Sequence, residues 1–335
     1  MAFQSVSSVN SIAILDAYTN KILSGYRPEG FIADDVFKDI PCDVITARIP
    51  HTNATLALNS QLEISPTGFP TVQLNFTSTD VYAIKSRGVQ AFLEPHDVVQ
   101  LGGDAQSKAI VSYQLADYVD IQKEYALASA IFNSAIMTQN FSAPIVYDDP
   151  TSDPGADFIK ARSVVVGGVG SSYGCGLEAN TAIMNWQTFN QLIQHPALLK
   201  QTFQNATGGA KTIGADKLAE IMGVKRLLVA AARYDSSEQG PTSTPIYTQL
   251  WGNSILFYRK DENPSPAMAT QSLGYKFIPN GANLPPADAF WQYNPYQLLP
   301  SMGRYYARMK AYDMHVSNVN AGCLITGVTS AAVNR

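Results

Sequence analysis

The sequence predicts an α+β protein, and three stretches carry that reading. Residues 104–137 contain no Pro or Gly and place apolar side chains every three or four positions, the period of a helix. Residues 45–84 hold two runs in which apolar and polar residues alternate, on either side of a turn cluster. Residues 156–265 alternate between helical and strand patterns.

The long helix is framed by Gly102-Gly103, with Asp104 as the predicted N-cap. Val111, Leu115, Tyr118, Ile121, Tyr125, Ala128, Phe132 and Ile136 make its predicted apolar stripe. At ~1.5 Å per residue it would run roughly 50 Å, several times the usual three turns. Its few charges are Lys108, Asp117, Asp120, Lys123 and Glu124. A strut so sparsely charged is expected to pack against other parts of a large structure.

From the N-terminus, residues 1–44 mix short apolar groups with turn formers, with a short helix expected within Ile12–Ile22. GYRPEGFIADDVFKDIPC reads as extended, because Pro28 and Pro41 bias the residues before them away from helix. The whole region reads as an arm lying across another surface. In the hairpin, Leu62 and Ile64 on one side and Val72, Leu74 and Phe76 on the other flank the turn 65–70. Each arm could reach about 11 residues, roughly 36 Å. A lone two-stranded ribbon is marginal in water, so its apolar face is expected to land on another surface, a neighbouring subunit's included. Residues 82–97 read as a strand pair and a stop before the long helix.

Beyond it, Pro144–Pro154 is a turn-rich linker. Helices are expected at Asp157–Val166, at Trp186–Gln194 with Asn185 as cap and Trp186, Phe189, Leu192 and Ile193 buried, and at Ala215–Met222, closed by Gly223. Strands are expected at Ala182–Met184, Leu227–Ala230 and around Ile255–Tyr258, with a polar loop at Tyr234–Pro245. The end, Tyr305–Val328, reads as strand, with Arg304, Tyr306, Arg308 and Lys310 on one face and a turn at Asn320–Gly322.

Composition narrows the function. The 335 residues are 46% hydrophobic but only 15% charged, with net charge −4, against an average near 25% charged. Such a chain covers itself with uncharged polar groups or hides its surface in interfaces, and it lacks the basic excess of a dedicated nucleic-acid binder. Cys42, Cys175 and Cys323 are too few and too scattered for a disulfide framework and suggest a reducing compartment. The first residues have no basic leader, and no apolar run approaches the ~18 residues of a membrane span. Sequons at Asn53, Asn75, Asn140 and Asn205 therefore carry no weight.

The order and spacing of these parts resemble the major capsid proteins of tailed bacteriophages, the Hong Kong 97-type fold. GFIADDVFKDIPC resembles that family's arm segment. YAIKSRGVQAFLEPHD leading into Tyr113–Phe132 resembles its passage into the spine helix, and NTAIMNWQTFNQLIQHP an axial-domain helix. ADKLAEIMGVKRLLVAAARYDSS with YTQLWGNSILFYRK resembles its helix–strand blocks, and MGRYYARMKAYDMHVSNVNAGCLITGV its closing strands. The resemblance implies an N-terminal arm at 1–44, an extended hairpin (E-loop) at 45–84, and a peripheral domain at 85–155 with its spine helix at 104–137. It further implies an axial domain at 156–265 and return strands at 266–335 that complete the peripheral domain.

It also implies a structural, non-enzymatic protein, with no cofactor, metal or catalytic residue. Copies would self-assemble as pentamers and hexamers into an icosahedral phage head around double-stranded DNA, bound without sequence specificity. The hairpin would lie over the adjacent subunit and the arm beneath another. A portal protein would occupy one vertex, and the protein would be virion-borne after assembly in the host cytoplasm, with no membrane partner. Only about 30 residues precede the arm motif, so a separate scaffolding protein is expected, and a decoration protein could add support. No lysine lies between Lys38 and Lys85, so the hairpin tip cannot supply a crosslinking lysine and the shell is expected to be held non-covalently. An encapsulin-type compartment shell is the alternative within the fold.

A serine hydrolase is the competing class. Gly170-Ser171-Ser172-Tyr173-Gly174 fits G-x-S-x-G after an apolar run, with Ser172 as nucleophile, His195 or His315 as base and Asp261 or Asp288 to orient it. Against it stand the missing HGGG-type segment and a following CGLEANTAIM that reads as loop into strand, not helix. Gly168, Gly170 and Gly174 miss the dinucleotide spacing by one residue. His51, His96, His195 and His315 have no Glu or Cys at ligand spacing. Arg304, Arg308 and Lys310 could touch packaged DNA, but pairing with carboxylates on the long helix or on a neighbour is the preferred reading.

Overall fold

Ile14–Leu15 pair antiparallel with a strand near the C-terminal end, at Trp291 and Gln292. A computed structural model describes residues 14–15, 30–49, 51–52, 76–77, 81–100, 103–167, 176–202, 212–237, 246–263, 272–293 and 304–329. β1 (Ile14–Leu15) is strand where a helix was expected. Within the segment read as extended, α1 (Ala33–Val36) makes one helical turn before β2 (Lys38–Cys42). The hairpin base follows as two antiparallel rungs, β3 (Thr46–Arg48) with β6 (Val81–Ala83) and β4 (His51–Thr52) with β5 (Phe76–Thr77). The predicted turn at 65–70 and the alternating runs up to it lie outside the described residues. β6 does not pair with β7 (Lys85–Leu93): β6 closes the hairpin and β7 joins the main sheet. The predicted stop is a short helix, α2 (Pro95–Gln100).

α3 (Asp104–Ile131) is the long helix, 28 residues and so about 42 Å. It differs from the predicted element at both ends. Gly103 takes the N-cap position and Asp104 is the first helical residue. The helix stops six residues early, because Asn133 turns its side chain back to accept from the backbone N–H of Ala135 at 2.9 Å. Asn140 then holds the turn by donating to the carbonyls of Ser134 and Met137. Asn competes for local backbone groups in this way, which ends helices. The apolar stripe also differs. Tyr118 and Tyr125 are more than half exposed at 52% and 56%, while the buried face carries Ala116, Asp120, Lys123, Glu124, Leu127 and Ile131.

Next come β8 (Asn140–Ser142) and α4 (Pro154–Val166), whose Asp153 accepts from the N–H of Ala156. β9 (Thr181–Asn185) leads into α5 (Trp186–Leu192), capped as expected when the Asn185 carboxamide oxygen accepts from Thr188 N at 2.7 Å. Trp186 is 44% exposed, not buried. α6 (Pro196–Thr202) was not foreseen. α7 (Ala215–Met222) ends as predicted at Gly223, whose φ of 67° suits a residue without a Cβ. β10 (Arg226–Ala230), β11 (Arg233–Asp235), β12 (Tyr247–Gln249), β13 (Ile255–Tyr258), β14 (Gly274–Pro279) and β15 (Asp288–Tyr293) follow. β16 (Arg304–Val316) and β17 (Gly322–Thr326) end the described chain, joined through a 3₁₀ turn at Val319–Ala321.

Two sheets organise these strands. In the six-stranded one β16 is the axis: β7 runs along one edge, β15 and then β14 share the other, β2 adds in parallel beside β14, and β1 lies outside β15. α3 lies against this sheet, Val111, Leu115 and Ala116 packing on Leu93, Phe290 and Tyr306. The five-stranded sheet runs β10-β9-β13-β17-β8. Its strands split by alternation. Ala182, Met184, Ile255, Phe257, Cys323 and Ile325 face one core, with Phe158, Leu218 and Met222 from α4 and α7. Ile183, Leu256, Tyr258 and Leu324 face a second core, with Leu127, Ala128 and Ile131 of α3 and Ile32, Val36 and Phe37 of the N-terminal segment. Burial on both faces is why these strands read as continuous apolar runs.

Candidate functional site

Ser172 and the glycines 168, 170 and 174 lie outside the described residues, as does Cys175. His195 is buried, with Nε2 2.9 Å from Ser152 Oγ and 3.3 Å from the Asp149 carbonyl, while its Nδ1 accepts from Ala197 N at 3.3 Å. It ties the loop before α4 to the start of α6. Asp288 accepts from Arg308 Nη2 at 2.8 Å, and Asp261 accepts from Asn263 N at 3.0 Å to close a turn. In the β15–β16 register Asp288 faces Lys310, and His315 lies five positions further along β16, about 17 Å away. Asp288 is thus held away from His315, and His195, Asp288 and Asp261 each have a local structural task. His96 is exposed beside Glu94 and Asp97, at 3.5 and 3.3 Å. Among the described residues no three His, Cys, Asp or Glu side chains converge as metal ligands, and no helix is long and apolar enough to cross a membrane. Cys42 and Cys323 are buried free thiols, and burial pushes the Cys323 thiol up to about 12.

A chain of opposite charges lies where α1, α3 and the six-stranded sheet meet. Lys310 reaches Asp120 at 2.5 Å, Asp120 meets Lys123 at 3.0 Å, and Lys123 meets Asp34 at 2.5 Å. Lys276 closes it, 2.7 Å from Asp34 and 3.0 Å from Asp39. Burial alone would push Asp34 up, but Lys123 and Lys276 outweigh it and hold its carboxyl well below the usual range. Burial would likewise depress Lys123, yet Asp34 and Asp120 hold its ammonium above the ordinary lysine value. Lys310 sits below that value, through burial and the nearby charge of Lys123, despite Asp120. Glu124 is fully buried beside this chain, accepting from Ala33 N at 2.5 Å and Trp251 Nε1 at 2.8 Å. Its burial pushes the carboxyl up despite those two donors. Lys310 and Arg308 both pair with carboxylates inside the chain and are largely buried, so neither is presented to DNA. The Arg304 side chain lies outside the described set.

Among the described residues, exposed large apolar side chains include several that stand close to one another. Val44, Ile45 and Val81 stand exposed at the hairpin base. Tyr118 and Tyr125 lie seven residues apart, two turns of α3, on the side facing away from its packed face. Ile159 and Val166 share a face of α4, Ile159 being 65% exposed, and Ile246 and Tyr247 begin β12. Single exposed apolar residues are ordinary; neighbouring ones on one face make small apolar patches.

No protein-family model and no curated protein sequence matches the chain. Solved structures do. A phage-related protein from Bordetella bronchiseptica RB50 superposes with a TM-score of 0.65 at 18% identity, over 95% of this chain and 99% of that one. The capsid structure of cyanophage P-SCSP1u gives 0.56 at 12% identity, over 95% and 94%. That of Microbacterium phage Oxtober96 gives 0.51 at 13%, over 90% and 93%. The chain has the Hong Kong 97-type phage-capsid fold.

Within this capsid fold, the residues that hold the N-terminal segment down were not visible as a site in the sequence. Lys310 does pair with a carboxylate of the long helix, the reading preferred from the sequence, but Asp120, Lys123 and Glu124 were not marked as facing inward. Their one available signal was spacing: each lies four residues from another member of the packed face, Ala116, Leu127 or Ala128. Their partners Asp34, Ala33, Trp251 and Lys310 are about 90 to 190 positions away along the chain, beyond reach of any local pattern.

Proposed function

We propose that the chain is the major capsid protein of a tailed bacteriophage. Copies bury their exposed apolar patches against one another as pentamers and hexamers of an icosahedral head enclosing double-stranded DNA. The observation that carries this reading is the agreement of nearly the whole chain with capsid structures. The weakly charged surface, with apolar pairs at the hairpin base and on α3, supports it.

In this reading residues 1–44 are the arm, 45–84 the E-loop, 85–155 the peripheral domain with α3 as its spine, 156–265 the axial domain and 266–335 the return strands. β8 and β17 enter the axial sheet from outside those limits. Residues 30–42 are built into their own subunit's core, and Ile14–Leu15 pair with β15 of the same subunit. The partners are identical subunits, a separate scaffolding protein, a portal protein at one vertex and a decoration protein. The protein is made in the host cytoplasm and ends in the virion, held without covalent links and with no catalytic residue.

Negative-stain microscopy of the purified full chain tests this. Hollow shells or ring-shaped capsomers are the expected result. A clean monomer at high concentration that also hydrolyses esters and takes a fluorophosphonate label at Ser172 would overturn it.

A further inference from the structure

One end of the five-stranded sheet collects positive charge, and the chain's own hydrogen bonds put it there. In register, Arg226 of β10 and Tyr258 of β13 lie on either side of Thr181, so β10 begins where β13 ends. Asn180, just before β9, ties the two together. Its carbonyl accepts from Lys225 N at 2.9 Å and Arg226 N at 3.1 Å, and its carboxamide oxygen accepts from Lys260 N at 2.8 Å. Lys225, Arg226, Arg259 and Lys260 are therefore brought to one rim, three strands or roughly 10 Å wide. The N-terminal segment adds Lys38 to it, because Asp35 pairs with Arg226 at 3.1 Å and the Asp35 carbonyl accepts from the Lys260 ammonium.

The nearby carboxylates are engaged elsewhere. Asp35 pairs with Arg226, Asp39 with Lys276 and Glu178 with Arg162, while Asp261 closes its own turn and Glu262 is exposed beyond it. Among the described residues, Lys38, Lys225, Arg259 and Lys260 have no carboxylate within ion-pair distance. Arg259 and Lys260 donate to backbone carbonyls instead. Burial first, and then the positive charges of Arg226 and Lys38, hold the Lys260 ammonium below the ordinary lysine value despite Asp35 and Asp39. In a chain of net charge −4, a local excess of cations points to an anionic partner. Among the described residues, 30–39, 178–182, 224–230 and 255–262 hold no large exposed apolar side chain, so the rim lacks the apolar centre that a protein partner would bury. We propose that this rim, formed by Lys38, Lys225, Arg226, Arg259 and Lys260, lies against the phosphates of the enclosed double-stranded DNA. Naming the duplex rests on the reading of the chain as a capsid protein. Contacts to phosphate carry no base sequence, and counterions released from the duplex supply the free energy.

The test uses the full chain, diluted below the concentration at which particles form. Binding of a labelled duplex of about 30 bp is followed by fluorescence anisotropy from about 50 to 200 mM salt. Lys38→Gln with Lys225→Gln removes two exposed cations that make no side-chain hydrogen bond or ion pair among the described residues, so the fold is left alone. The slope of log K against log salt is expected to become shallower by about 1.8, at about 0.9 per phosphate. The control pair, Lys160→Gln with Lys200→Gln, removes the same charge elsewhere. Lys160 lies over Phe141 of β8, at the opposite edge of the sheet from β10. Its slope is expected to change by less than half as much. Equal slopes in the two pairs overturn the proposal, as does a parent chain that binds no duplex. So does poly-L-glutamate that competes as tightly as the duplex at equal charge, because the rim would then fit an acidic protein. Particles in microscopy together with equal slopes would sink this inference and leave the capsid reading standing. A slope change confined to the first pair, with no particles, would leave the phosphate contact standing and sink the capsid reading.

Discussion

Replacing Glu124 by Gln removes one acceptor from a place where water cannot substitute. The carboxylate is fully buried and serves two donors on different elements, Ala33 N and Trp251 Nε1. A Gln side chain keeps one oxygen and turns an NH₂ group toward the other donor, so one buried N–H is stranded. That costs about 1–3 kcal/mol, a large part of the ~5–15 kcal/mol by which a folded domain normally exceeds its unfolded state. Glu124→Leu strands both donors and should cost more than Gln, less whatever is regained by not burying a carboxylate. The assay is urea unfolding at neutral pH followed by tryptophan emission, since Trp251 is one of only three tryptophans and is itself the affected donor. The pH dependence has a definite sign. Burial holds the Glu124 carboxyl above its ordinary value, so the native state binds the proton more readily than the unfolded chain. Its contribution to stability therefore grows as pH falls toward the carboxylate range, and the deficit of the Gln variant should be larger in mild acid than at neutral pH. A Gln variant within 0.5 kcal/mol of the parent at every pH would show that these donors are satisfied by something else, and the reasoning would fail.

Asp34 gives the opposite sign. Its carboxyl is held below the ordinary range by Lys123 and Lys276 against burial, so its stabilisation is complete above the unfolded value near 4 and drains away as pH falls below it. An Asp34→Asn variant should lose stability at neutral pH and show a shallower acid transition than the parent; equal acid slopes would count against the charge chain. Asn185 caps α5 and also donates through Nδ2 to the carbonyls of Trp251 and Gly252 and to Asn253 Oδ1, the last at 2.6 Å. Asn185→Ala should therefore cost more than the ~1 kcal/mol of a lost cap alone, and Asn185→Asp, which keeps the cap but loses the donors, should lie between; melting temperatures rank the three. On the outer face of α3, Tyr118→Arg with Tyr125→Arg should leave the unfolding free energy within about 0.5 kcal/mol of the parent while abolishing particles in microscopy and light scattering. Intact particles boiled in denaturant should run as single chains, because the hairpin has no lysine; a ladder of crosslinked bands contradicts that.

Local chemistry made much of the fold legible. Gly223 at the end of α7 and Asn185 at the start of α5 act through their own backbone neighbours, and a signal confined to five residues survives whatever the rest of the chain does. Ile255–Tyr258 is strand because alternate side chains enter two cores, and an unbroken apolar run announces that. The misreadings have the reverse cause. Asp120, Lys123 and Glu124 lie on the packed face of α3 because Lys310, Asp34, Ala33 and Trp251 arrive there from remote parts of the chain. Tyr118 and Tyr125, apolar enough to be assigned inward, were displaced outward by the same geometry.

By itself the sequence determined the α+β class, the long helix, the hairpin base and the order of parts that resembles a capsid protein, because periods of two and 3.6 residues, caps and turn formers act over a few positions. It also determined a surface poor in charge. Only the tertiary structure decided which residues bind the N-terminal segment into the core, that β7 belongs to β16 and not to β6, and that His195, Asp288 and Arg308 are structural partners. Those outcomes depend on which distant side chains meet out of water, where an unmatched charge or hydrogen-bonding group is expensive, and a one-dimensional pattern holds no record of that meeting.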